Sequence, residues 1–313
     1  MSKVFRVGLV GLGAMGKNHA RTLLDSPETE FVGAVDPAGD VHNVMYKTPI
    51  YESLESLLNK NLDYIVVAVP SIYHEEVALE AIRVGVNVFI EKPIAQSIDS
   101  AERIIKAASE YKVLGAVGHI ERCSLASIYI KSKLEENILG KIHKISTKRQ
   151  SLFPARILDV GVVKDLGIHD FDLSSWLLNK KYKSITAYAG YPKGREYEDI
   201  VNISGVLEDG TPVNHEIDWI SPHRVRETAI YGENGYLVAD TLNSKIYGIL
   251  DNEPVSRQLS GIGALMLEHQ DFREYLLGKN NLVTSLDQGL YALKVAESVL
   301  QSISENKKLS LPF

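Results

Sequence analysis

The chain contains the stretch Val7-Gly8-Leu9-Val10-Gly11-Leu12-Gly13-Ala14-Met15-Gly16, which decides the fold of its first half. The apolar run Phe5–Val10 predicts a buried strand, and Lys17–Leu24 predicts the helix that follows. The turn from Gly11 to Gly16 has the pattern G-x-G-x-x-G, whose glycines allow a tight turn, close approach of a pyrophosphate and close helix–strand packing. These six residues are therefore predicted to bind a dinucleotide, and a glycine-rich turn without a ligand is the alternative.

An acidic residue lies where the second strand is predicted to end. This strand, Phe31–Val35, leads directly to Asp36. A carboxylate at this position suits the ribose hydroxyls of NAD and repels the 2′-phosphate of NADP. The next residues are Pro37, Ala38 and Gly39, so no arginine follows that could bind that phosphate. We therefore expect the cofactor to be NAD.

The composition is that of an ordinary globular protein of 313 residues, with 45% hydrophobic and 24% charged residues. The net charge of −6 argues against a general role in binding nucleic acid or a membrane surface. The single cysteine, Cys123, excludes a disulfide framework and a cysteine-built metal site. We expect no signal peptide, and no apolar run reaches the roughly 18 residues that a membrane span requires. The expected location is the cytoplasm.

Strands and helices are predicted to alternate from the N-terminus to about residue 118. Repeated β–α units are typical of a parallel, doubly wound sheet, here a Rossmann domain over residues 1–119. The further strands predicted are Tyr64–Pro70, Val86–Ile90 and Leu114–Val117. The further helices predicted are Ser53–Leu58, His74–Val84 and Ile98–Tyr111.

The pattern changes after residue 120, where strands follow one another without helices between them. This change predicts a second, α+β domain over residues 120–313 with a mainly antiparallel, open sheet. Within Val213–Trp219 apolar-leaning and polar residues alternate, so one face of the sheet is predicted to pack inward. The predicted strands are Lys141–Gln150, Ser184–Gly190, Ile200–Leu207, Pro212–Ile220, Arg226–Tyr231, Gly235–Ala239 and Lys245–Ile249. The predicted helices are Ser124–Asn137, Val163–Leu178, Leu265–Leu277 and Asp287–Ser304.

Two groups of residues could carry chemistry. Lys92 lies within Glu91-Lys92-Pro93, just past a predicted strand, at the edge where doubly wound sheets bind ligands; the alternative is a surface lysine. Asp165, His169 and Asp172 have helical spacing, so a carboxylate could orient a histidine that acts as general base. Asp165 could instead complement the helix dipole and His169 could be a core histidine, and a zinc site formed by all three is a further alternative.

The assembly resembles the Gfo/Idh/MocA family of glucose–fructose oxidoreductases, inositol dehydrogenases and rhizopine catabolism proteins. The residues that carry the resemblance are Gly11–Gly16 with His19, Asp36, the Pro70-Ser71-x-x-His74 turn, Glu91-Lys92-Pro93 and Asp165-x-x-x-His169. The resemblance implies that Lys92, Asp165 and His169 are catalytic. It also implies a cofactor site lined by Pro70, Ser71, His74, Glu91 and Lys92, and homodimers or homotetramers packed through the second domain's sheet.

A narrower resemblance links the chain to the branch that oxidises UDP-N-acetylglucosamine at its 3-hydroxyl. It rests on Gly118–Arg122, Pro154–Leu166 and Asp218–Arg226, and departs from that branch at Cys123. Several basic residues precede the predicted catalytic helix and could bind a diphosphate, because arginine donors suit phosphate. A solvated basic face is the alternative. The residues expected to bind substrate are His119, Arg122, Arg149, Arg156, Asp165 and His169, and further cations are Lys144, Lys148, Arg224 and Arg226.

Together these features predict an NAD-dependent dehydrogenase that acts on a UDP-sugar. His169 is the expected base, Lys92 is expected to stabilise the developing alkoxide, and Asp165 is expected to orient one of them. Lys92 is the alternative base if burial lowers its pKa. A dehydrogenase of a free sugar or cyclitol is the alternative enzyme, and a non-catalytic NAD-binding sensor is the alternative outside enzymes.

Overall fold

The computed structural model describes residues 3–154, 160–279 and 282–311. The chain forms two compact units. The first takes in the chain up to His119 together with Leu265–Leu290, and the second takes in Ile120–Ala264 together with the chain from Tyr291 onward. No helix within the described ranges combines the length and the apolar composition that crossing a bilayer requires.

Eight α-helices and fifteen strands are assigned within the described residues. The helices are α1 (Gly16–Asp25), α2 (Leu54–Leu58), α3 (His74–Arg83), α4 (Ile98–Tyr111), α5 (Leu125–Glu135), α6 (Ile168–Leu178), α7 (Ala264–Leu276) and α8 (Leu286–Glu305). The strands are β1 (Phe5–Val10), β2 (Thr29–Val35), β3 (Tyr64–Val67), β4 (Asn87–Glu91), β5 (Gly115–Gly118), β6 (Ile142–Gln150), β7 (Tyr182–Gly190), β8 (Ile200–Leu207), β9 (Pro212–Asp218), β10 (Val225–Gly232), β11 (Gly235–Asp240), β12 (Lys245–Leu250), β13 (Glu253–Gln258), β14 (Thr284–Ser285) and β15 (Leu309–Ser310).

The sheet of the first unit has the strand order β14-β5-β4-β3-β1-β2. Strands β1 to β5 are parallel, and the short β14 is antiparallel to β5. Strand β3 is buried along its whole length because strands of such sheets are covered on both faces, which explains its continuous apolar sequence. The predicted Rossmann sheet is confirmed.

The segment from residue 265 to 290 joins this first unit, although the sequence assigned it to the second domain. The ring of Phe272 in α7 packs edge-on against Tyr64 at 5.1 Å and Phe89 at 5.3 Å. Thr284 in β14 pairs with Val117 in β5. These pairings connect residues far apart in the chain, and local sequence patterns carry no signal for them.

The sheet of the second unit has nine strands in the order β13-β12-β11-β10-β6-β9-β8-β7-β15. Neighbouring strands are antiparallel except β6 and β9, which are parallel. In β9 the side chains of Val213, His215 and Ile217 are buried and Glu216 is exposed, as the predicted alternation requires. Asp218, predicted on the open face, is also buried, so the alternation ends before it. The mainly antiparallel sheet and its helices confirm the predicted α+β domain.

Three strands and one helical turn differ from the predictions. Strand β13 forms one edge of the sheet and is mostly exposed, so its polar sequence lacks an apolar alternation. Strands β14 and β15 have two residues each, too few to produce a pattern. The helix predicted from Val163 begins instead as a π-helical turn, Val163–Gly167, before α6.

Candidate active site

The glycine turn after β1 leaves its backbone open to a ligand. Gly11 has φ of +94°, and a Cβ there would lie 2.6 Å from the carbonyl oxygen of Ala68. A Cβ on Gly16 would lie 2.0 Å from the carbonyl oxygen of Gly11. By contrast, no atom of the described structure lies within 4 Å of the Cβ position at Gly13, which is exposed like Ala14. Two glycines therefore shape the turn, and the third leaves space for a pyrophosphate at the start of α1.

The Asp36 carboxylate is held beside this turn by two backbone groups. The N–H of Leu12 donates to Asp36 Oδ2 at 2.6 Å, and the N–H of Ala38 donates to Oδ1 at 2.8 Å. Each carboxylate oxygen has lone-pair positions for more than one donor, and Asp36 remains partly exposed. The carboxylate can therefore accept hydroxyl groups of a ribose, and its charge disfavours a phosphate there. These residues fit NAD.

One of the predicted cofactor residues, His74, joins two segments at the edge of the sheet. The His74 ring is buried with Nδ1 2.9 Å from the carbonyl oxygen of Pro93 and Nε2 2.9 Å from that of Val69. Burial lowers the pKa of His74 although both carbonyl groups oppose this. Since both ring nitrogens face the backbone, His74 connects the segments after β3 and β4 and offers no polar atom to a ligand. Ser71 begins a 3₁₀ turn between them and Pro70 is exposed.

Lys92 follows the last residue of β4 and is half-buried. Its backbone N–H donates to Glu91 Oε2 at 3.1 Å, and the Lys92–Pro93 peptide bond is cis. The Glu91 side chain is buried within the first unit and points away from solvent. Glu91 therefore supports the backbone of Lys92, a role that differs from direct contact with the cofactor.

In the second unit, Asp165 lies in the π-helical turn and His169 lies in the first turn of α6. The Ile168 N–H donates to the carbonyl oxygen of Val163, five residues earlier, which defines the wider turn. Such turns inside helices are frequent at functional sites. Asp165 is half-buried and His169 is buried.

Glu198 supports this turn and had no signal in the sequence. Its Oε1 accepts a hydrogen bond from the backbone N–H of Val163 at 2.9 Å. A Cβ on Gly161 would lie 2.1 Å from the same carboxylate, so the close approach depends on glycine. Burial raises the pKa of Glu198. The 35 residues between Glu198 and Val163 explain why no local motif predicts the contact.

Asp172 forms a buried ion pair with Arg122, which corrects two predictions. Arg122 Nε donates to Asp172 Oδ2 at 2.8 Å, and Nη2 donates to Oδ1 at 2.5 Å. Asp172 is thus engaged by a guanidinium and does not serve as a third zinc ligand. No cluster of three metal-ligating side chains occurs among the residues whose placement is described. The guanidinium of Arg122 is buried in this pair, which argues against its predicted contact with a substrate.

Arg149 is also an internal residue, which corrects the prediction that it binds a diphosphate. It is 4% exposed, with Nη1 2.8 Å from Glu121 Oε1 and Nη2 2.9 Å from Asp170 Oδ1. Burial alone would raise the pKa of Glu121, but Arg149 and Arg226 outweigh it and lower that pKa to about 2. A guanidinium held by two buried carboxylates cannot bind a phosphate without breaking both pairs.

Those of the remaining basic residues whose placement the structure describes do not form one cluster. Lys148 is adjacent to Arg149 in β6 but lies on the opposite face, 3.8 Å from Glu216, because successive strand residues alternate. Arg226 lies 3.3 Å from Glu121, and Arg224 is exposed. The ammonium group of Lys144 lies over the ring of Tyr231, His119 is buried after β5, and Arg156 falls outside the described residues.

Two family models match the chain. The one described as "Oxidoreductase family, NAD-binding Rossmann fold" matches residues 5–119, and the "GFO/IDH/MocA C-terminal domain" matches residues 128–238. The chain is therefore a two-domain oxidoreductase-family protein with an NAD-binding Rossmann domain. It belongs to the Gfo/Idh/MocA family.

Curated relatives have different substrates in their names. UDP-N-acetylglucosamine 3-dehydrogenase of Acidithiobacillus ferrooxidans is 26% identical over 246 residues, 77% of this chain and 76% of that protein. The scyllo-inositol 2-dehydrogenase (NAD(+)) of Bacillus subtilis is 27% identical over 314 residues, 92% of this chain and 91% of that protein. A crystal form of the Acidithiobacillus enzyme has a TM-score of 0.88 at 24% identity, covering 96% of this chain and 98% of that one. The last comparison shows a shared fold.

Proposed function

We propose that the protein is an NAD-dependent dehydrogenase that oxidises a sugar hydroxyl, specifically the 3-hydroxyl of UDP-N-acetylglucosamine. The observation that carries the choice of cofactor is the Asp36 carboxylate, held by the Leu12 N–H beside a turn that is open at Gly13. The choice of a sugar or cyclitol rests on the family and on relatives named for such substrates.

The reaction requires removal of a hydride and a proton from one alcohol. NAD, when bound, supplies the nicotinamide C4 that accepts the hydride as the substrate C–H bond breaks. We assign His169 as the base that takes the hydroxyl proton, so that the alcohol becomes a ketone. Lys92 stabilises the negative charge that develops on the oxygen. Asp165 orients either His169 or Lys92. Lys92 is the alternative base.

The nucleotide part of the substrate is proposed from the relative of Acidithiobacillus ferrooxidans and from the sequence of residues 154–166 and 218–226. Since Arg122 and Arg149 are held in internal ion pairs, the diphosphate has to be bound by other cations. We propose Arg156 and the exposed Arg224 for this role. The homo-oligomer and the cytoplasmic location expected from the sequence remain part of the proposal; light scattering tests the first against a chain mass of 34.7 kDa.

A free sugar or cyclitol is the second candidate substrate, and one observation favours it. The burial of Arg122 and Arg149 removes two of the cations on which a diphosphate site was predicted. The Bacillus subtilis relative named as a scyllo-inositol dehydrogenase also matches a larger share of this chain.

The test is a panel of UDP-N-acetylglucosamine, other UDP-sugars, glucose and inositols with NAD or NADP, followed by NADH or NADPH absorbance. The proposal expects turnover of UDP-N-acetylglucosamine with NAD and its loss in Lys92→Met. If inositol or glucose is oxidised and no UDP-sugar is, the substrate is a free sugar or cyclitol, the second candidate. NAD binding without turnover of any substrate would favour a non-catalytic sensor.

A further inference from the structure

Three buried polar side chains form a hydrogen-bonded chain that ends at the backbone of Lys92. His269 Nε2 lies 2.9 Å from His19 Nδ1, and His19 Nε2 lies 2.8 Å from Glu91 Oε1. The second oxygen of Glu91 accepts from the Lys92 N–H at 3.1 Å. The residues come from α7, α1 and β4 of the first unit, and both histidines are completely buried.

The environment determines which nitrogens carry protons. His269 Nδ1 is buried and has no hydrogen-bond partner in the described structure, so a proton there would be an unsatisfied donor. Burial lowers the pKa of His269 well below its ordinary value, which keeps the ring neutral. His269 therefore has its proton on Nε2 and donates to His19 Nδ1. His19 in turn donates from Nε2 to Glu91 Oε1.

Glu91 is consequently a buried carboxylate with a donor on each oxygen. Burial would raise its pKa, but His19 and the adjacent Lys92 outweigh this and lower it. The apolar neighbours of the two histidines include Phe89, whose ring stacks on His269 at 5.5 Å and meets His19 at 5.9 Å. An apolar side chain in place of Glu91 would fill the same space and would avoid the cost of removing a charge from water. Packing alone therefore does not require the buried carboxylate of Glu91.

We propose that His19 and His269 are positioning residues for Lys92. They hold Oε1 of Glu91, so that Oε2 of the same carboxylate fixes the Lys92 peptide at the end of β4. This inference takes one element from the proposed function, namely that Lys92 acts in the oxidation of the substrate. Loss of the His19 donor leaves Glu91 Oε1 unsatisfied in the interior, and the carboxylate then turns or takes up a proton. Either change weakens the hydrogen bond to the Lys92 N–H and displaces its side chain.

Three variants and one matched control test this inference. His19→Leu removes both hydrogen bonds, whereas His19→Gln retains an amide donor for Glu91. Glu91→Gln has the same shape as Glu91 and can still accept from His19, but its NH₂ group then faces the Lys92 N–H. The control is Phe272→Leu, which weakens packing in the same region and leaves the polar chain intact.

We expect His19→Leu and Glu91→Gln to lower kcat by about 10²-fold, as a displacement of about 1 Å can do, with KM for the sugar changed much less. His19→Gln should recover most of kcat, and Phe272→Leu should lower Tm with kcat unchanged. The inference is overturned if His19→Leu and Glu91→Gln lose no more kcat than Phe272→Leu. If His19→Leu fails to fold, Glu91→Gln alone decides between these results.

Lys92→Met separates this inference from the proposed function. Normal turnover by Lys92→Met would overturn the catalytic role of Lys92 and with it this inference, whereas the proposed dehydrogenase activity would stand. Loss of turnover in Lys92→Met together with normal kcat in Glu91→Gln would overturn only the positioning role of the histidines.

Discussion

The backbone N–H of Leu12 donates to Oδ2 of Asp36 at 2.6 Å, which ties the glycine turn after β1 to the end of β2. The hydrogen bond joins the turn proposed to bind the pyrophosphate to the carboxylate proposed to bind the ribose. The contact forms within the protein alone. Preorganisation of this kind reduces the ordering that binding would otherwise require.

Asp36 is expected to control the choice of cofactor. In Asp36→Ala the ribose hydroxyls lose a charged acceptor, which is worth about 1.5–3 kcal/mol, or roughly 10- to 150-fold in the Kd of NAD. Addition of Ala38→Arg should then shift the preference toward NADP. Titration calorimetry with both cofactors measures this, and tighter binding of NADP than of NAD by the unaltered protein would contradict it.

His169→Ala is expected to lower kcat by about 10²–10⁴-fold, because a general base contributes that much to proton transfer. The Kd of NAD should change little, because the proton that His169 is proposed to take belongs to the substrate hydroxyl and not to the cofactor. Steady-state kinetics and cofactor titration on the same preparation test both statements. Wild-type turnover by His169→Ala would show that another group is the base.

Arg149 is expected to matter for stability. Arg149→Met leaves the buried Asp170 without its guanidinium partner and leaves Glu121 with Arg226 alone, and breaking such a pair destabilises by about 3–5 kcal/mol. The control is Lys148→Met in the same strand, whose exposed site predicts a change within about 0.5 kcal/mol. Denaturant unfolding measures both. Equal stability of the two variants would mean that the ion pairs contribute nothing.

The lowered pKa of Glu121 predicts that the free energy of unfolding decreases in acid. Its pKa is about 2 in the folded protein, where Arg149 and Arg226 outweigh the effect of burial, against an ordinary value of 4.5. A lowered pKa contributes stability above the ordinary value, and this is lost as the pH falls from 4.5 toward 2. The free energy of unfolding of Glu121→Gln should therefore depend less on pH in this range. If the free energy of unfolding of Glu121→Gln fell as steeply with pH as that of the wild type, Glu121 would not be the group responsible.

The sequence predicted what depends on local pattern. Strands β1, β3, β4 and β5 were predictable because burial on both faces requires continuous apolar residues, and the glycine turn because its conformation requires glycine at Gly11 and Gly16. The edge strand β13 was not, since an exposed edge needs no apolar alternation.

Pairings between distant residues were the main source of error in the candidate site. Arg149 is 21 positions from Asp170 and 28 positions from Glu121 in the chain. The positive charge of Arg149 could therefore be read from the sequence, but its buried partners could not. The link between His19 and His269 spans 250 residues and was likewise not predicted. Strand alternation could have indicated that Arg149 and Lys148 lie on opposite faces.

Transfer of an isotope from substrate to cofactor tests the central claim most directly. With NAD and UDP-N-acetylglucosamine that carries deuterium at C3, the account predicts deuterated NADH from the wild-type protein, detected by mass spectrometry, and none from Lys92→Met. Unlabelled NADH would show that the hydride comes from another carbon. Absence of NADH with this substrate, together with label transfer from a deuterated inositol, would contradict the assignment to a UDP-sugar.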